Sequence, residues 1–142
     1  MSAESKPIDS YLMWRNLWLF WLLLILIVSS YPCAEFHTHA HWNKVSWVPF
    51  QGVGHSVTLS LDAVRNVVLY VPFGFFYGQS QSHSRKTVVI KVALLTTLLS
   101  IGCEFFQIFC HGRHPSMTDV STNLMGGVLG AVIALRYRSG KR

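Results

Sequence analysis

Residues 103–130 read CEFFQIFCHGRHPSMTDVSTNLMGGVLG. One apolar segment ends here and another begins, with polar groups where a membrane helix should carry none. Glu104 and Gln107 lie three apart and share one helical face. Asp119 and Asn123 lie four apart and share another. Between the pairs runs a short turn, residues 111–116, bearing His111, Arg113 and His114. Ionisable side chains inside apolar spans are costly, so they usually face the protein interior or a cavity and mark function.

Working back from this stretch, residues 87–110 form an apolar run with Lys91 near its start and Ser100 one turn before Glu104. Working forward, residues 117–136 form another, in which Gly126 and Gly130 make a G-x-x-x-G that lets two membrane helices approach closely. Asn123 is available there as an interhelical hydrogen-bonding group. Residues 58–80 form a third run, with Asp62, Arg65 and Asn66 on one face of its first turns and a Pro72–Gly74 break further on. Residues 12–31 form a fourth, about 20 residues long, enough to cross a hydrocarbon core at about 1.5 Å per residue. Arg15 there can snorkel to the interface, and Trp14, Trp18 and Trp21 suit an interfacial aromatic belt. A cleaved leader ending near Ala34 is the competing reading, but the run is long for one.

Composition agrees. Hydrophobic residues make up 51% of the 142-residue chain and charged ones 13%, about half the charge of a soluble domain. The expectation is an all-α integral membrane bundle of four transmembrane helices forming a single domain, with the lipid bilayer as its principal partner. The formal charge of +6 raises nucleic-acid binding, but the basic residues sit at the ends of apolar runs and form no basic helix or patch. Nucleic acid is therefore excluded as a partner.

The polar first loop, residues 32–57, carries His37, His39 and His41 in alternation. Such spacing suits a metal, yet no carboxylate or cysteine stands at a recognised ligand spacing, and the loop reads as solvated. No metal site and no cofactor is assigned. Cys33 and Cys110 reach the same membrane face, which leaves their pairing open, whereas Cys103 and Cys110 lie too far apart along one helix to bridge. The basic tail, residues 137–142, reads as disordered.

Four spans put both termini on one side. Lys6, Arg15, Arg85, Lys86, Lys91, Arg136, Arg138, Lys141 and Arg142 fall on that side, against Lys44, Arg65 and Arg113 opposite. That imbalance in short loops places both termini of a multi-pass cell-membrane protein in the cytoplasm. Asp62, Arg65, Asn66, Glu104, Gln107, Arg113, Asp119 and Asn123 then gather at the outer face, and the expectation is one outward-facing polar pocket drawn from three helices.

The residues from Asp62 to Gly130 resemble the VanZ-like membrane proteins, a family named for a glycopeptide-resistance accessory protein. The resemblance rests on Asp62, Asn66, Pro72 and Gly74 (D-x-x-x-N-x-x-x-x-x-P-x-G), on Ser100, Glu104 and Gln107 (S-x-x-x-E-x-x-Q), and on Arg113, Asp119, Asn123, Gly126 and Gly130 (R-x-x-x-x-x-D-x-x-x-N-x-x-G-x-x-x-G). It implies a helical membrane protein of the cell envelope and links the chain to antibiotic resistance of the teicoplanin type. The histidine-rich loop is not part of that pattern. Three functions are open. The first is binding or modification of an amphiphilic, lipid-linked or lipoglycopeptide ligand, with Arg65 and Arg113 on its head group. The second is an intramembrane enzyme with Glu104 as general base. The third is a structural assembly partner whose polar groups only lock helices together.

Overall fold

The computed structural model describes residues 8–31, 33 and 36–140. Four long helices carry the chain: α1 (Ile8–Ser30), α2 (Val57–Gln79), α3 (Arg85–Gln107) and α4 (Met117–Gly140), with a short 3-10 turn at Trp42–Lys44. All four are long and apolar enough to span a membrane. Among the described residues there is no strand, only isolated bridges in the loops. Lys6, Lys141 and Arg142, used above to orient the chain, lie outside the described residues, as do Pro32, Ala34 and Glu35.

Serines start the helices. The Ser56 side chain accepts from the Leu59 amide at the head of α2, and Ser84 accepts from Thr87 at the head of α3. Ser116 does the same for α4, accepting from Thr118 N at 3.1 Å. Three boundaries move by three residues or more, the first being α1, which starts at Ile8 rather than near residue 12. Helix α3 stops at Gln107 because Ile108–Cys110 turns toward the first loop, and α4 runs on to Gly140. Residues 137–140 are therefore helical rather than disordered. The reason is visible in Arg138, whose guanidinium donates to the carbonyls of Gln81 at 2.6 Å and Gly78 at 3.2 Å. It closes the carbonyl end of α2, where a cation is favoured.

Helix α4 is the centre. Of its apolar stretch 56% is buried inside the protein, against 6% for α1. It packs chiefly on α2, through glycine. A methyl group at Gly130 would overlap the Val71 carbonyl and press on the Phe75 amide. At Gly74 it would overlap the Gly127 carbonyl. The two backbones thus touch directly, as small residues in membrane helices allow. Helix α3 closes the other side of α4, with fully buried Thr96 against Gly127.

Helix α1 lies on the outside of this core. Trp14, Trp18 and Trp21 are packing residues. Their spacing of four and three puts them on one helical stripe, and that stripe packs on α2: Trp14 on Phe75 and Phe76, Trp18 on Phe73 and Tyr77, Trp21 on Phe76, with ring centres 5.4–6.0 Å apart. Trp21 Nε1 also donates to the Leu69 carbonyl at 2.8 Å. Pro72 denies α2 one backbone bond four residues back, and a carbonyl beside the break is met by this neighbouring helix. The opposite sides of α1 and α3 expose Leu19, Phe20, Leu23, Ile27, Leu94 and Leu98, the surface a bilayer would cover.

The first loop is docked, not free. Cys33 is bonded to Cys110, with Cα atoms 5.3 Å apart across 77 residues. Beyond it, His37 N donates to Phe109 O and His41 N to Ile108 O, while Ser46 exchanges bonds with Pro115 and Met117. The loop therefore lies over the α3–α4 turn and caps that end of the bundle, here called the disulfide end.

Candidate functional site

At the disulfide end the ends of α1 and α3 and the starts of α2 and α4 come to one level, and the predicted polar residues sit there. Glu104 on α3 faces the start of α4. Its Oε2 accepts from the Ser116 amide at 2.8 Å, so the carboxylate caps the residue that itself caps α4. Arg113, in the intervening turn, stands within electrostatic range of both Glu104 and Asp119. One of its guanidinium nitrogens donates to the Ser29 carbonyl at 3.4 Å. Gln107 Nε2 reaches the same carbonyl at 3.0 Å. The frayed end of α1 thus offers an acceptor that two side chains from the α3 end share.

Asp119 turns toward α2. Its carboxylate stands beside the Asn66 side chain and within electrostatic range of Asp62. Asp62 in turn pairs with Arg65 at 3.0 Å. A chain of interactions therefore runs Arg65–Asp62–Asp119–Arg113–Glu104–Ser116, crossing α2, α4, the turn and α3. Asn123 sits one turn deeper, where its Nδ2 donates to Ser100 Oγ at 2.8 Å in the buried interior. Its Oδ1 is also buried and has no hydrogen-bond partner among the described residues.

All eight residues singled out in the sequence lie in this region, but not as one open pocket. Gln107 and Asn123 are only 6% and 5% exposed, and both serve contacts between helices. Arg113 is half-buried, bonded to the Ser29 carbonyl and within electrostatic range of two acids. Only the Arg65–Asp62 pair is well exposed, its side chains 74% and 46% accessible. Beside it an apolar groove of about 370 Å³ runs between α1 and α2, lined by Trp21, Val64, Arg65, Val68, Leu69 and Pro72. A second cavity, of about 460 Å³, lies at the opposite end between α3 and α4, beside Arg85, Lys86 and Arg136. Arg65 is the one member of the eight that lines either. Arg113 places a compensating charge within range of two acids that raise each other's cost of ionisation, and Asn66, Glu104, Arg113 and Asp119 are all half-buried.

Three participants gave no signal in the sequence. The Ser29 carbonyl joins as a helix end, and the Ser116 amide joins only because the turn folds back on Glu104. Tyr70, buried on α2, places its hydroxyl against Ser100 and Cys103, a role its place in an apolar run does not reveal.

The family model described as VanZ/LLP1 matches residues 16–138, most of the chain. No curated protein and no solved structure matches it.

Proposed function

Since this chain belongs to the VanZ/LLP1 family and is a multi-pass membrane protein, we propose that it binds an amphiphilic, phosphate- or carboxylate-headed ligand of the cell envelope. The observation that carries the reading is the juxtaposition of an exposed guanidinium with an apolar groove. Arg65 stands at the groove between α1 and α2, where its side chain is free to turn from Asp62 to an anionic head group. The walls from Val64 to Pro72 would take the hydrocarbon chain. Asp62 positions Arg65, and the set Asn66, Asp119, Arg113 and Glu104 lies behind the pair. Arg113 is then a positioning residue, not a head-group contact.

Both termini face the cytoplasm in this reading, and the Arg65 site opens to the exterior. Two independent features support that orientation: the basic residues concentrate at the end opposite the disulfide, and disulfides persist in oxidising compartments. A cysteine substituted for Ser82, in the α2–α3 loop, is expected to react with an impermeant thiol reagent only after the membrane is opened.

The binding test uses the purified chain in nanodiscs and a labelled polyprenyl phosphate. Arg65→Ala is expected to weaken binding about tenfold to hundredfold, the worth of a charge-assisted hydrogen bond. Cells carrying Arg65→Ala are expected to lose any protection the protein gives against a lipid-bearing glycopeptide such as teicoplanin. Unchanged binding in Arg65→Ala would overturn the assignment. A second reading, that the polar cluster only locks helices, is favoured by the burial of the Asn123–Ser100 bond. It predicts that Arg113→Ala lowers thermal stability and that Arg65→Ala changes nothing.

A further inference from the structure

Four imidazoles gather where the first loop crosses the α3–α4 turn. Ring centres lie 5.3 Å apart for His37 and His39, 4.8 Å for His39 and His41, and 5.7 Å for His37 and His41. His111, the residue after Cys110, completes the set at 5.1 Å from His37 and 5.4 Å from His41. The main chain sets this spacing. His37 N donates to Phe109 O at 2.9 Å and His41 N to Ile108 O at 3.0 Å, and the neighbouring disulfide fixes Cys110 to Cys33.

Five of the six ring pairs have the spacing of a ligand set. When imidazole nitrogens surround a zinc ion at about 2.0–2.1 Å in a tetrahedron, their ring centres stand roughly 5 Å apart. His41 adds a sharper sign. Its Nδ1 lies 3.1 Å from the Ile108 carbonyl, and a carbonyl can only accept, so Nδ1 carries the proton and Nε2 the lone pair. A backbone contact of this kind orients metal-bound histidines and fixes their tautomer. His39 and His111 are exposed, and His37 and His41 half-buried, so a cation would reach them from the water side.

We propose that His37, His39, His41 and His111 form a binding site for a divalent transition cation, Zn²⁺ or Cu²⁺, that cross-links the first loop to the α3–α4 turn. As the side chains stand, no group of three or more His, Cys, Asp or Glu among the described residues could hold a metal ion. Closing the site takes ring rotation, for which the imidazole torsion is broad, on a backbone already in place. Nitrogen donors select these ions over Mg²⁺ and Ca²⁺, which take oxygen. The site is separate from the Arg65 groove and does not rest on the reading of that groove.

The experiment titrates zinc chloride, and separately copper chloride, into the full chain purified with a histidine-free tag. One equivalent is expected to bind with a Kd below about 10 µM and to raise the melting temperature, while magnesium chloride does neither. Electron paramagnetic resonance of the copper form is expected to show coupling to imidazole nitrogens. His39→Ala combined with His111→Ala is expected to weaken binding at least about tenfold, while a His83→Ala, His114→Ala control binds as before. Both altered rings are exposed, so the metal-free double variant is expected to melt like the parent and keep its disulfide on a non-reducing gel. Absence of binding at about 100 µM metal, or equal binding by the double variant, would overturn the proposal.

Discussion

The Glu104 carboxylate and the Ser116 amide meet at 2.8 Å across the turn that joins α3 to α4. This bond ties the end of α3 to the start of α4, and Arg113 stands within electrostatic range of the same carboxylate. Glu104→Ala would strand the amide and release Arg113 from one of its acids. The expected loss is about 2–4 kcal/mol of stability, seen as a lower melting temperature in detergent. Glu104→Gln retains an acceptor for Ser116, so it is expected to lose less than half as much. Equal losses would mean that charge, not the hydrogen bond, is what Glu104 supplies.

Glycine at 130 is required by contact with the α2 backbone. Gly130→Leu is expected to separate α2 from α4, at a cost above about 3 kcal/mol, with loss of monodisperse protein on gel filtration. Gly102 on α3 is the control, because nothing lies within 4 Å of where its Cβ would stand. Gly102→Ala is expected to be neutral or to stabilise by up to about 1 kcal/mol through helix propensity.

Reduction of the Cys33–Cys110 bond should loosen the disulfide end. Cys110→Ser is expected to lower stability by about 2–4 kcal/mol, since the bond closes a long loop. The variant should migrate alike with and without reductant, whereas the parent should shift. The released loop should also become the preferred site of limited proteolysis.

Asn123 and Ser100 form a buried polar pair between α4 and α3. A double-mutant cycle with Asn123→Ala and Ser100→Ala is expected to give a coupling of about 0.6–2 kcal/mol in unfolding experiments. A coupling near zero would show that the two side chains act independently and that the contact does not hold the helices.

Much of this was legible from residue spacing. The four spans follow from long apolar runs, and the G-x-x-x-G at Gly126 and Gly130 announced a close helix contact, though not that α2 would supply it. The meeting of Asp62, Asn66, Glu104 and Asp119 followed from counting where each falls along its span. What could not be read were relations between segments. Trp14, Trp18 and Trp21 satisfy both a belt and a packing stripe, and only the Phe73–Tyr77 face of α2 decides for the stripe. The pairing of Cys33 with Cys110 depends on the path of the first loop, and so does the approach of His111 to His37 and His41. Arg113 showed no partner in the sequence because the two acids lie on different helices; the turn brings both within its electrostatic range.

The most densely packed helix is also the last of these four to leave the ribosome. Until α4 emerges, α2 has no glycine surface to meet, and Asn66 and Tyr70 have neither Asp119 nor a finished core around them. A nascent chain with three segments threaded would hold these polar groups against lipid, a condition that membrane surveillance proteases and insertase chaperones recognise. Premature termination anywhere before Met117 should therefore yield a product cleared by degradation, not a smaller working version.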